Sequence, residues 1–209
     1  MTHRERILRV MRGEMVDVIP FVPRLDLWYM SNALRGTLPE KFKGMTHDDI
    51  ARMHGWALYR MVPDFVNMIR GPEDILHRAV GLYRFQQSAY RWEFSGDVEV
   101  KVGAVAGQQV VEYHTPLGMV RTVGGLTEEM KRRGASLGWT QEHIIQKPSD
   151  YRIVGYIFEN IKVYPNPDGF TAYQNETGDD GVVAAGGASL AASPMHHIQK
   201  EFLDHTRFF

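Results

Sequence analysis

No cysteine occurs among the 209 residues of the chain, and neither sign of charge prevails. Without cysteine, disulfide bonds and thiolate metal sites are excluded within these residues, and nothing argues for secretion. The 24 basic and 25 acidic residues give a formal net charge of -1 and form no block of one sign, so neither a nucleic-acid nor a membrane partner is indicated. The N-terminus also lacks the apolar run of a signal peptide or a membrane span. We therefore expect a cytoplasmic protein.

Helix-start patterns recur along the chain. Hydrophobic residues make up 44% of it, and no linker or repeat divides it, so we expect residues 1–209 to form one domain, or part of a larger one, with a sizeable core. Thr2 with Glu5 forms a capping-box pattern for a first helix. Later helices are predicted to begin near Thr46, Pro72, Lys147, Pro167 and Ser193. The last of them, with Ile198 and Phe202 on its apolar side, shows no stop before Phe209.

Short apolar runs between these helices predict strands. Residues 17–22 and 182–185 are typical of strands buried on both faces, and residues 61–69 form a weaker candidate. Residues 83–123 are rich in β-forming runs broken by glycine, which indicates an antiparallel insertion. Strands that alternate with helices predict an α/β chain with parallel strands. Because about three such strands cannot close an eight-stranded barrel of roughly 250 residues, we expect a partial (β/α)8 TIM barrel.

The order of several short motifs resembles the start of proteins of the uroporphyrinogen decarboxylase superfamily. The motifs are residues 2–14, Val16-Asp-Val-Ile-Pro20, Thr115-Pro-Leu-Gly118, Lys147-Pro-Ser-Asp-Tyr151, residues 178–183 and Ser193-Pro-Met-His196. The resemblance implies the N-terminal portion of such a barrel, with its second half beyond residue 209. Residues 23–29 are similar to the same loop in the methyltransferase-like branch.

That branch implies one-carbon transfer between a small methylated substrate and a corrinoid or folate carrier, with a corrinoid protein as a partner. The resemblance also implies that any zinc is held beyond residue 209, so we expect no metal or cofactor to be bound by this segment alone. A homo-oligomer stays open. Two other functions stay open as well: decarboxylation of uroporphyrinogen or another carboxylated substrate, and a non-catalytic fragment or binding module that needs a partner. Decarboxylases place two arginines after the first strand, where this chain has Ser31 and Arg35.

The candidate site residues follow the ends of predicted strands, where the active sites of barrel enzymes lie. We predict that Arg24, Asp26 and His196 are catalytic. We predict that five further residues bind substrate: Trp28, Tyr29, Arg35, Ser193 and His197. The structural alternatives are an Arg24–Asp26 ion pair that closes the end of the barrel and a pair of histidines at the surface.

Overall fold

The computed structural model describes residues 1–62, 78–80, 82, 89–136, 138–185 and 193–208. Its helices are α1 (His3–Met11), α2 (Asp26–Arg35), α3 (His47–Met53), α4 (Glu128–Arg132), α5 (Asp150–Glu159), α6 (Pro167–Thr177), α7 (Pro194–His197) and α8 (His205–Phe208). Its strands are β1 (Leu58–Val62), β2 (Tyr90–Phe94), β3 (Glu99–Val105), β4 (Gln108–Thr115), β5 (Gly118–Gly125), β6 (Trp139–Glu142), β7 (Ile161–Pro165) and β8 (Gly181–Ala185). Short 3-10 turns cover Glu40–Phe42, Arg78–Val80 and Gly178–Asp180, and a π-helical turn covers Ile198–Phe202.

Side-chain caps begin several of the helices, as the sequence patterns predict. Thr2 accepts a hydrogen bond from the backbone N–H of Glu5, whose carboxylate accepts one from the N–H of Thr2 in return. Thr46 and Asp49 form the same reciprocal pair at the start of α3. These caps satisfy backbone donors that the first turn of a helix leaves without partners. The predicted starts of α1 and α3 are confirmed.

Most strand pairing is antiparallel. Strands β3, β4, β5 and β6 form one four-stranded antiparallel sheet, and β2 pairs antiparallel with β7. One side of the four-stranded sheet is covered by α5 and the turn at Ile198–Phe202. The larger hydrophobic cluster lies between them and includes Val111, Tyr113, Val120, Ile153 and Phe202.

Strands β1 and β8 form a separate parallel pair, in which Leu58 lies opposite Gly181 and Val62 opposite Ala185. A β-carbon at Gly181 would lie 2.7 Å from the carbonyl oxygen of Leu58, so this pairing depends on the missing side chain. The N–H of Val183 donates to Oε1 of Gln174 in α6 at 3.2 Å. That donor is therefore not available to a further strand.

The expected partial (β/α)8 barrel is wrong for the part of the chain that the structure describes. Among the described strands, β1 and β8 pair in parallel, and all the other strand pairs are antiparallel. The chain is α/β with small, mostly antiparallel sheets. Antiparallel strands do occupy residues 90–125, but β6 and β7 extend that pattern well beyond the expected insertion.

The strand predicted at residues 17–22 is also absent. The segment forms no strand, and Val18, Ile19 and Phe21 are 63%, 83% and 59% exposed. Pro20 has no N–H to offer a neighbouring strand. The carbonyl of Phe21 accepts a hydrogen bond from the N–H of Ala57, the residue before β1, at 3.0 Å.

The final helix does not run unbroken towards Phe209. The π-helical turn ends where Leu203 takes an extended backbone conformation, with φ -124° and ψ 147°, and α8 begins at His205. Three predicted features lie outside the described residues: positions 63–69 of the weaker strand candidate, the helix start at Pro72, and positions 83–88 of the antiparallel insertion. The strand predicted at residues 182–185 is confirmed as β8, although Ala184 and Ala185 are exposed rather than buried.

Candidate functional site

Arg24 and Asp26 form an ion pair at the start of α2. The Nε of Arg24 donates to both carboxylate oxygens of Asp26, at 3.0 Å and 3.3 Å. The Asp26 side chain is 12% exposed and that of Arg24 is 54% exposed, so the carboxylate is anchored and the guanidinium faces solvent. The hydrogen bond to Asp26 raises the pKa of Arg24 further above its ordinary value. Arg24 is therefore a fixed, exposed cation.

Tyr59 of β1 supports this guanidinium from the other side. The central carbon of the Arg24 guanidinium lies 5.9 Å from the centre of the Tyr59 ring, within the range of a cation–π contact. The sequence pattern predicts that this strand begins at Met61, so it gives no indication that Tyr59 belongs to the site. In the structure the strand covers Leu58–Val62, and this places Tyr59 next to Arg24.

Trp28 and Tyr29 are held by the segment that precedes α3. The Trp28 ring meets the Phe42 ring edge-on at 6.0 Å. The Tyr29 hydroxyl donates to the carbonyl of Met45 at 3.0 Å, and its ring lies 5.7 Å from that of His47. These contacts fix α2 against the rest of the chain. Trp28 keeps an exposed fraction of 39%, whereas the polar end of Tyr29 is already used.

Arg35 lies at the opposite end of α2 from Asp26. Nine residues separate them, which corresponds to about 13 Å along a helix. Gly134 faces this end: a β-carbon there would lie 2.4 Å from Oγ of Ser31 and 2.7 Å from Cδ of Arg35. The structure therefore does not bring Arg35 together with Arg24 and Asp26.

Ser193, His196 and His197 belong to a different part of the fold. Ser193 caps α7 by accepting a hydrogen bond from the N–H of His196 at 3.1 Å. The His197 ring is buried and meets the Phe202 ring edge-on at 4.9 Å. Phe202 belongs to the larger hydrophobic cluster, whereas β1 beneath Arg24 contributes Val62 to a smaller one. The expectation of a surface pair of histidines holds for His196 alone, since His197 is buried.

A second polar cluster lies on the other face of β1. Both terminal nitrogens of Arg60 donate to the carboxylate of Asp48, and Nε2 of His47 lies 3.2 Å from the same carboxylate. The guanidinium also lies 5.4 Å from the centre of the Tyr173 ring. The Arg60 side chain is only 3% exposed, so this cluster joins α3, β1 and α6 and leaves little room for a ligand.

One surface cavity of about 390 Å³ opens at the edge of the four-stranded sheet, lined by residues 96–99 and 114–116. It includes His114, whose Nε2 lies 3.0 Å from the Glu112 carboxylate. None of the predicted site residues lines it. Throughout the described ranges, no group of three or more histidine, aspartate or glutamate side chains is arranged to hold a metal ion.

No family model, no curated protein and no solved structure matches the chain. The resemblance to the uroporphyrinogen decarboxylase superfamily therefore stays a prediction. Within the part of the chain that the structure describes, no helix has the length and apolar character needed to cross a membrane.

Proposed function

We propose that the chain binds a small methylated substrate that carries an anionic group, and that it takes part in transferring one carbon from this substrate to a corrinoid or folate carrier. The geometry of the Arg24 guanidinium is the observation that supports the proposed binding of an anionic substrate. Among the described residues, Asp26 is hydrogen-bonded to the Nε of Arg24 and not to its two terminal nitrogens. Those two nitrogens are therefore left for a ligand. A guanidinium presented in this way binds a carboxylate through two parallel hydrogen bonds. The transfer half rests on the resemblance of residues 23–29 to the methyltransferase-like branch.

Each residue of this site has a separate role in the proposal. Arg24 binds the anionic group, and Asp26 is a positioning residue, because its buried carboxylate fixes the direction of the guanidinium. Tyr59 supports the guanidinium from below. His196, His197 and Ser193 have no role in it, since they belong to α7 and the larger hydrophobic cluster.

Decarboxylation of uroporphyrinogen has less support. A tetrapyrrole with several carboxylates requires several fixed cations around it. Here Ser31 replaces one of the two expected arginines, and Arg35 lies at the far end of α2 beside Gly134. A single exposed guanidinium fits a substrate with one carboxylate better.

The binding half is tested with methoxyacetate and its neutral counterpart methoxyacetamide, by titration of the protein. We expect Arg24→Gln to weaken methoxyacetate binding at least tenfold, or about 1.4 kcal/mol, because a charge-assisted bidentate contact is lost. The matched control Arg35→Gln removes the same charge at the other end of α2 and should leave the affinity unchanged. Equal affinity for the acid and the amide, or an equal loss in both variants, contradicts the assignment of Arg24.

The transfer half is tested by incubating the protein with methoxyacetate and a reduced corrinoid. If the methyl group moves to the corrinoid, its ether oxygen takes up a proton and glycolate is released, and glycolate is measured directly. We expect Arg24→Gln to reduce glycolate formation at least tenfold. Binding without any glycolate would favour the binding-module alternative over a one-carbon-transfer enzyme.

A further inference from the structure

The two faces of the β1–β8 pair differ sharply. Along a strand, alternate side chains point to opposite faces. Leu58, Arg60 and Val62 are buried on one face, where Val62 packs with Tyr173 and Val183. The other face is formed by Tyr59 and Met61 with their register partners Val182 and Ala184. We call these four residues the outer strip.

The outer strip is apolar and accessible to solvent. Met61 is 39% exposed, Ala184 is exposed, and Tyr59 and Val182 are half-buried. The Tyr59 hydroxyl lies 3.6 Å from the sulfur of Met61, so the tyrosine side chain extends along the strip towards Met61. The four side chains therefore form a continuous surface across both strands.

Arg24 lies at the Tyr59 end of the outer strip. Its guanidinium is positioned over the Tyr59 ring, so the exposed cation and the apolar surface are neighbours on one face. A ligand that matches both parts has an anionic group at one end and an apolar body at the other. A small polar acid would use the cation alone, and a neutral apolar molecule would use the strip alone.

We propose that the outer strip receives the apolar body of the ligand whose anionic group Arg24 binds, so that the substrate class is a carboxylate with an alkyl or ring body. This inference rests on the proposed function and names the substrate class of the same site. Tyr59 and Met61 are two residues apart, or about 6.6 Å along a strand. A ligand of about six carbons whose carboxylate lies at Arg24 therefore reaches Met61 with the end of its chain. Met61 thus determines which apolar bodies the site prefers.

The experiment compares hexanoate with acetate by NMR titration of protein labelled at the methionine methyl groups. Burial of each methylene strengthens binding by roughly fourfold when it is complete, so even partial burial of the longer chain should make hexanoate bind at least tenfold more tightly than acetate. Hexanoate should shift the methyl signal of Met61, and acetate should not. The Met61→Gln variant identifies that signal and should remove most of the advantage of hexanoate while leaving acetate binding unchanged.

Met119→Gln is the matched control, because Met119 is 46% exposed on β5 of the four-stranded sheet; it should change neither affinity. Equal binding of acetate and hexanoate, with both weakened by Arg24→Gln, would overturn the role of the outer strip and leave the proposed function standing. If Arg24→Gln changes the affinity for neither acid, the proposed function fails, and the substrate class built on it fails as well.

Discussion

At the scale of single residues, Arg60 shows how the chain places a charge in its interior. The side chain lies on β1 between Leu58 and Val62, yet its terminal nitrogens donate to the Asp48 carboxylate and its guanidinium carbon lies 5.4 Å from the centre of the Tyr173 ring. A buried cation is tolerated only when it is paired and hydrogen-bonded. The Arg60–Asp48 pair thus allows an arginine to occupy a buried position in β1, and it connects the start of α3 to that strand.

Removing the acidic partner should therefore be costly. We expect Asp48→Asn to lower the free energy of unfolding by about 2–3 kcal/mol, because the largely buried guanidinium loses its counter-charge. Asp180→Asn is the control: it breaks the contact of Asp180 with Arg52 at 2.7 Å, where the two side chains are 41% and 46% exposed, and should cost less than about 1 kcal/mol. Urea denaturation of both variants gives the comparison. Equal losses would show that burial of the Arg60 pair has little influence on stability.

The sequence predicted a contact between Arg24 and Asp26, but not where Arg35 lies relative to them. Arg24 and Asp26 are two residues apart in the sequence, a spacing that allows the local ion pair seen in the structure. Arg35 was grouped with them because it follows the same predicted strand. Two residues on one helix can contact the same ligand only if the helix packs so that both stay free on one side. Here Gly134 packs against the end of α2 that holds Arg35. That contact spans about a hundred residues of sequence and has no local signal.

At the scale of secondary-structure elements, the sequence predicted where capped helices begin, but it did not predict which strands pair with each other. The capping pairs at Thr2 and Thr46 act within four residues, and both helices begin where expected. The apolar residues 17–22 were expected to form a buried strand, but an apolar pattern alone does not supply a neighbouring strand. In the structure, Arg6 binds Asp17 through Nε and a terminal nitrogen at 2.7 Å and 2.8 Å. The segment is thus tied to α1 at one end, and near its other end Phe21 is hydrogen-bonded to Ala57, just before β1.

The close approach of β1 and β8 gives a test at this scale. We expect Gly181→Ala to lower the free energy of unfolding by about 1–3 kcal/mol, because its β-carbon would lie 2.7 Å from the backbone oxygen of Leu58 and force the strands apart. Gly155→Ala in α5 is the matched control: its β-carbon meets nothing within 4 Å, and removing a helical glycine should add roughly 0.5–1 kcal/mol. Both are read from thermal and urea unfolding. A Gly181→Ala protein as stable as the parent would contradict the close parallel pairing.

At the scale of the whole molecule, the two hydrophobic clusters are unequal. The larger joins the four-stranded sheet, α5 and the turn at Ile198–Phe202, and it contains the fully buried Tyr113 and Ile157. The smaller consists of Val62, Tyr173 and Val183, with Phe170 beside it. Because the energy of burial scales with the apolar area removed from water, the larger cluster should dominate stability. In the proposed site, Arg24 contacts Tyr59 of β1, a strand that contributes Val62 to the smaller cluster.

Hydrogen exchange should reveal this difference. We expect the amides of Val111 and Val120, in the central strands of the antiparallel sheet, to be protected at least tenfold more strongly than that of Val183 in β8. Val111 lies between β3 and β5, and Val120 pairs with Tyr113 of β4; both belong to the larger hydrophobic cluster. Strand β8 belongs instead to a two-stranded pair, and such pairs are marginal unless a large apolar surface covers them. The N–H of Val183 is held by the side chain of Gln174, so Gln174→Ala should speed its exchange further and leave Val111 unaffected. Equal protection of the three amides would mean that both clusters open together, and that β1 and β8, which form the outer strip, are as firmly held as the four-stranded sheet.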